Sequence, residues 1–157
     1  MSLKITVLGI PVTQGSKTAF VAGGKAIMRE KSSGAAHMRF VDWRQAVRSE
    51  AQRAIEGCEA AIGNDWVDPD LHNAYWSGPV LVECRFSLLR PASAPKTRRT
   101  WPIGARSGDV DKLARLILDA LTGIVFADDS HVVELHVSKD YGVPGVEIVV
   151  DAVTEGP

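Results

Sequence analysis

A chain of 157 residues with 45% hydrophobic and 24% charged side chains has the size and composition of one ordinary globular domain, residues 1–157, and no apolar run approaches the roughly 18 residues of a membrane helix. Two cysteines, Cys58 and Cys84, without CxxC spacing argue against a disulfide framework and a zinc site and are read as reduced thiols. The formal net charge of −1 hides a segregation, because the interval from Glu83 to Asp109 contains no acid and holds Arg85, Arg90, Lys96, Arg98, Arg99 and Arg106, while acids crowd the chain from Asp109 onward.

The N-terminal run Lys4 to Gly9, stopped by Pro11, lacks a cleavage pattern and predicts a mostly buried first strand of a cytoplasmic protein rather than a signal peptide. The next segment, PVTQGSKTAF, sets small and polar residues before Lys17, a turn that suits a phosphate without being a P-loop. Ala19 to Ala22 and Lys25 to Met28, separated by Gly23-Gly24, predict a hairpin with a primed turn. Phe40, Trp43, Val47, Ala51 and Ala54 recur at helical spacing, so His37 to Gly57 is an amphipathic helix. Its Arg44, Arg48 and Arg53 interleave with Asp42, Glu50 and Glu56, which favours a salt-bridged solvent face over contact with DNA. Asn64 to Gly78 has no periodicity, and its Trp66, Tyr75 and Trp76 suit either stacking on bases or packing a dimer.

Pro79 to Leu89 alternates as a strand, with Val80, Val82, Cys84, Phe86 and Leu88 on one face. In the basic stretch that follows, Pro91, Pro95 and Pro102 exclude helix and central strand. Its cations are either a solvated loop or the footprint of a phosphate backbone. Two further strands, Val132 to Ser138 and Val146 to Val153, flank a turn at Gly142 to Gly145.

Between them lies GDVDKLARLILDALTGIVFADD, from Gly108 to Asp129. Leu113, Leu116, Ile117, Ala120 and Leu121 make one apolar stripe, and Gly123 is placed to end the helix in a left-handed cap. An Asp at a helix start is usually only an N-cap, yet four carboxylates bracket this unit. Positions i and i+2 lie about 200° apart on a helix, so Asp109 and Asp111 can share one ion if Asp109 is the last extended residue and Asp111 sits in the first turn. Asp128 and Asp129 join them if Ile124 to Ala127 folds back along the helix, which gives oxygen ligands of the kind Mg²⁺ or Mn²⁺ accepts.

GDVDKLARLILDALTGIVFADDSHVVELHVSK resembles the signature of the RusA family of Holliday junction resolvases, in outline Asp-x-Asp-Asn-Leu-x-Lys, then Asp-Ala-Leu, then Asp-Asp-x-Gln-Val. PVTQGSKTAF is similar to the opening of phage and prophage members. The resemblance implies a small homodimer of α/β construction, Mg²⁺ as cofactor, branched DNA as substrate, and metal ligation by Asp109, Asp111 and Asp129. Three positions depart from the pattern: Lys112 stands where the family has Asn, Arg115 where it has Lys, and His131 where it has Gln. Arg115 keeps a charge suited to phosphate and loses proton transfer, or it bridges Asp111 and Asp119. His131 can ligate a metal, bond a phosphate or do neither.

The expected fold is α+β in a single domain, with a mixed or largely antiparallel sheet of about five strands and two main helices packed on it. The expected function is Mg²⁺-dependent hydrolysis of a four-way DNA junction by a C₂ dimer in recombination and repair, with Mn²⁺ able to substitute. Asp109, Asp111 and Asp129 hold the ion, Asp128 orients a water or a ligand, and Arg115 and Lys112 neutralise the scissile phosphate. Lys17, Arg90, Lys96, Arg98, Arg99 and Arg106 bind the flanking DNA, and no small-molecule cofactor or membrane is expected. A junction-binding protein that does not cut, and another DxD metal-dependent phosphotransfer enzyme, are the alternatives.

Overall fold

Strand β1, Ser2–Leu8, alternates strictly, with Leu3, Ile5 and Val7 buried and the residues between them exposed. The mostly buried strand expected from sequence is corrected here, because β1 is an edge strand with helices on one face only. The computed structural model describes residues 2–15, 17–22, 25–30, 34–62, 76 and 78–153, of which 17–22, 25–30 and 59–62 by their backbone. Strands β2, Lys17–Ala22, and β3, Lys25–Glu30, form the expected hairpin, with Ala22 opposite Lys25. Its Gly23-Gly24 turn lies outside the described residues, as do Trp66 and Tyr75.

Helix α1, Ala35–Ile62, runs beyond both predicted ends. Trp43, Val47, Ala51 and Ile55 are its buried stripe, and Phe40 and Ala54 pack at the margin. Strand β4, Val80–Leu88, buries the five alternating residues predicted for it. Helix α2, Val110–Leu121, then leads through a turn into β5, Val132–Tyr141, and β6, Gly145–Ala152.

Among the described residues the main sheet has four strands in the order β1-β6-β4-β5, and β2 and β3 pair with each other in a separate two-stranded sheet. The expected single sheet of about five strands is thus a mixed sheet of four with a separate hairpin, within the same α+β plan. Pairings β1–β6 and β6–β4 are antiparallel, and β4–β5 is parallel. A parallel neighbour needs a crossover, and the segment from Leu89 through α2 to His131 supplies it as a βαβ unit. Both helices cover one face, where Leu3, Ile5, Val82, Phe86, Leu113, Ile117 and Ile148 join a single core. The other face carries Lys4, Glu83, Arg85, Glu134 and Glu147 toward solvent. No helix among the described residues is long and apolar enough to cross a membrane.

Candidate nuclease site at the two ends of helix α2

The crossover runs α2 antiparallel to β4 and β5, so its N-terminus lies at the carboxyl ends of these parallel strands, the usual place for a site in such a unit. Asp109 has φ −83° and ψ 138°, extended, and Asp111 lies in the first helical turn, as the two-carboxylate geometry requires. Asp109 makes no side-chain cap bond to the helix. Its carboxylate instead meets the Lys112 ammonium at 2.7 Å. That contact, first as a hydrogen bond and then as a charge, together with the charge of Lys139, holds Asp109 below the usual carboxylate range. Lys112 is raised in turn by Asp109.

Gly108 precedes this pair at φ +74°, and a Cβ there would stand 2.5 Å from Thr13 Cγ2. Only glycine permits both the conformation and the approach. The approach matters because the Gln14 amide donates to the Lys112 carbonyl at 3.0 Å, docking the segment before Lys17 on the first turn of α2. Gln14 is buried, and its Oε1 has no hydrogen-bond partner among the described residues. Beside Gly108 opens a cavity of about 630 Å³ lined by Pro11, Thr13, Arg39, Trp43 and Arg106.

Lys139 on β5 is a site residue that sequence reasoning missed. Its ammonium donates to the Gly108 carbonyl at 2.6 Å and to Ser107 Oγ at 3.0 Å. The signal was a lysine two residues beyond Val137, on the inward register of a strand expected to stop at Ser138. The basic stretch lies at this same end. Arg90 bonds the Pro95 carbonyl and lies 6.0 Å from the Tyr141 ring, and Arg99 pairs with Asp140 and stacks 5.0 Å from the Trp101 ring. The Arg99 contact and the Tyr141 amide hold Asp140 below its ordinary range. Arg90, Lys96, Arg98, Arg99 and Arg106 are all exposed, and the Lys17 side chain is outside the described residues.

The other end of α2 is built differently. The Thr122 hydroxyl donates to the Leu118 carbonyl at 2.9 Å, and Gly123 at φ +76° makes the predicted left-handed end. Arg48 of α1 donates to the carbonyls of Ala120 at 3.0 Å and Thr122 at 3.4 Å. It satisfies helix-end acceptors rather than joining a solvent salt bridge, whereas Arg53 does pair with Glu50 at 3.0 Å. The Gly123 amide donates to the Phe126 carbonyl at 2.8 Å, keeping the chain beside the helix end.

Asp128 caps the 3₁₀ turn Asp129–His131 by accepting from the Ser130 amide at 3.0 Å. Ser130, through its hydroxyl and then its amide, holds Asp128 below the usual range. Asp129 is exposed, and its carboxylate has no partner among the described residues. His131 is half-buried in the same turn, and its amide donates to the Asp128 carbonyl at 3.1 Å.

The segment from Ile124 to Ala127 therefore does not fold back to the helix start. Val132, which follows the Asp129 turn, pairs with Val80 at the beginning of β4, whereas Lys139, which reaches Gly108, pairs with Phe86 near its end. The pairs Asp109/Asp111 and Asp128/Asp129 are separated by a helix of 12 residues, roughly 18 Å long. Among the described residues no group of three or more His, Cys, Asp or Glu is placed to hold one metal ion. Nor does Arg115, exposed on α2, bridge Asp111 or Asp119 among the described residues.

Residues 10–151 match the family model of the endodeoxyribonuclease RusA. The chain belongs to the RusA family of endodeoxyribonucleases, which act on branched DNA as Holliday junction resolvases. It is also similar to the uncharacterized protein YqaN of Bacillus subtilis (strain 168), 28% identical over 153 residues that cover 97% of each chain.

Proposed function

We propose that this protein is a Mg²⁺-dependent endodeoxyribonuclease that resolves four-way DNA junctions by paired phosphodiester hydrolysis in recombination and repair, acting as a homodimer. The supporting observation is a family match over residues 10–151 on a chain whose helix α2 starts with Asp109 and Asp111 beside exposed cations. A donor set made only of carboxylates suits Mg²⁺, with Mn²⁺ as substitute. One chain alone does not fit the ion, since its carboxylate pairs lie at opposite ends of α2. Two copies remove the difficulty if Asp109 and Asp111 of one meet Asp129 of the other. Edge strand β5, with Val133 and Leu135 exposed, offers a surface on which copies can associate.

Asp109, Asp111 and Asp129 would hold such an ion, which would supply activation of water and stabilisation of charge on the leaving oxygen. The side chains of the chain do the rest. Asp128 fixes the turn that carries Asp129, Arg115 and Lys112 neutralise the phosphate under attack, and Lys139 holds Gly108 and with it the extended backbone that presents Asp109. Arg90, Lys96, Arg98, Arg99 and Arg106, with Lys17, bind flanking phosphates.

One observation favours a junction-binding protein that does not cut: the Lys112 ammonium already occupies Asp109. A gel with labelled four-way junction and duplex, in Mg²⁺ and in excess EDTA, decides between them. Junction-selective cutting that EDTA abolishes and Mg²⁺ or Mn²⁺ restores, with Ca²⁺ supporting binding only, is the expected result. Junction binding without cutting in any metal supports the second reading, and undiminished cutting in EDTA removes the metal from the proposal.

A further inference from the structure

The basic stretch carries two apolar side chains that the proposed function leaves unused. Trp101 is 57% and Ile103 89% exposed, while Pro102 between them is buried. A buried proline flanked by outward-pointing neighbours makes a tip whose backbone is anchored and whose side chains are free. The anchoring is specific. The Ile103 amide donates to the Trp101 carbonyl at 2.9 Å and closes the turn. Behind it, Ser107 Oγ lies 2.6 Å from the Pro102 carbonyl and 2.7 Å from that of Gly104, its one hydrogen shared between them. Lys139 donates to the same Ser107 Oγ and to the Gly108 carbonyl. One ammonium thus ties the apolar tip to the residue immediately before Asp109.

The surroundings of the tip select its partner. Trp101 is oriented by the Arg99 guanidinium, 5.0 Å from its ring, which is itself paired with Asp140. Arg98, Arg99 and Arg106 flank the tip, all exposed, and no acid lies in the chain between Glu83 and Asp109. An apolar protein surface docking here would have to desolvate these guanidiniums. DNA would not, because its phosphates match the cations while its stacked bases accept apolar side chains between them.

We propose that Trp101 and Ile103 form a wedge that enters the branch point of a bound DNA junction and parts the base pairs there. The inference rests on the reading that the protein acts on branched DNA. Because the tip is braced through Ser107 and Lys139 to Gly108, inserting it sets the register of the strand that Asp109 meets.

The test is a four-way junction with 2-aminopurine at the branch point, and a second with the label inside one arm, read in EDTA at protein concentrations that a gel shows to be saturating. Wild type should raise branch-point fluorescence severalfold and leave the arm label unchanged. Trp101→Ala/Ile103→Ala, at exposed positions that leave the fold intact, should lose the rise at saturation, and Trp101→Phe/Ile103→Leu should keep it. An undiminished rise in the double alanine variant overturns the wedge. So does a double alanine variant that elutes at half the wild-type mass, which would make the tip a subunit contact. Wild type that binds and cuts junctions without any rise also overturns it, while leaving the nuclease reading in place. A wild type with no preference for junctions defeats both.

Discussion

The two ends of helix α2 carry the same chemical equipment and use it oppositely. At the C-terminal end polar groups are satisfied locally, with Arg48 on the last carbonyls, Thr122 on Leu118 and Asp128 on Ser130. At the N-terminal end Asp109 caps nothing, its neighbour Gly108 is held in a conformation only glycine tolerates, and three lysine or arginine side chains, Lys112, Arg115 and Lys139, lie on or beside the first turns. Closed networks of this kind serve stability, whereas the exposed Asp109–Lys112 pair and exposed Arg115 stand where a ligand can exchange with their contacts. Asp129 is the exception at the closed end, exposed and unpartnered among the described residues.

The largest expected effect comes from removing a carboxylate charge at either end. Asp109→Asn or Asp129→Asn should lower single-turnover junction cleavage by orders of magnitude, because an amide is a poor ligand for a hard cation. Junction affinity in metal-free buffer should stay the same or rise, since a charge that repels phosphate is gone. Near-wild-type cleavage by folded Asp129→Asn would reduce Asp129 to a turn residue and make the two ends unequal after all.

The closed end should answer in stability instead. Arg48→Met should cost about 1–2 kcal/mol in denaturant unfolding, the range for a buried acceptor deprived of a charged donor, and leave the salt dependence of junction binding untouched. A changed salt slope would return Arg48 to the DNA-contacting set. Leu116→Ala, in the stripe between the two ends, should cost about 3 kcal/mol.

The stripe itself was legible in the sequence, as were the extended Asp109, the Gly123 end and the β4 alternation, because these follow from periodicities of a few residues. What was not legible came from pairing across the chain. The parallel register of β4 with β5 places Val132 opposite Val80 and so carries Asp129 away from Asp109, and no local pattern reports that register. Arg48 sits among acids on α1 in the sequence, although its acceptors lie 72 and 74 residues away. Lys139 lies beyond the local strand pattern, because β5 continues to Tyr141. The basic stretch was legible as a loop of exposed cations, but not as one whose Arg99 is already engaged by Asp140 and Trp101.

That engagement sharpens a third expectation. Replacing Arg98 and Arg99 together by Ala should reduce the slope of log K against log salt by up to about two, and Arg98→Ala alone should account for most of it. An unchanged slope with lost cleavage would move the arm into the active site.

The smallest effect concerns the open end. With Lys112→Asn, Asp109 loses the partner that lowers its pKa, so its carboxyl should titrate at higher pH by NMR, and divalent ions should bind more tightly. In wild type the folded pKa is depressed, so the stabilisation that pairing contributes is present above the unfolded pKa and is lost as pH falls through the folded one. An unmoved Asp109 titration would mean that Lys112 is not its partner.

Whether the ends of α2 work together across two chains is tested most directly by mixing. Asp109→Asn and Asp129→Asn proteins, each inactive alone, are co-expressed with different tags, and the mixed dimer is isolated. If Asp109 and Asp111 of one copy share a site with Asp129 of the other, one of the two sites in the mixed dimer is wild type throughout, and nicking of the junction on one strand should return. A mixed dimer as inactive as its parents would contradict the account, placing Asp109 and Asp129 in one site of one chain or removing one of them from catalysis.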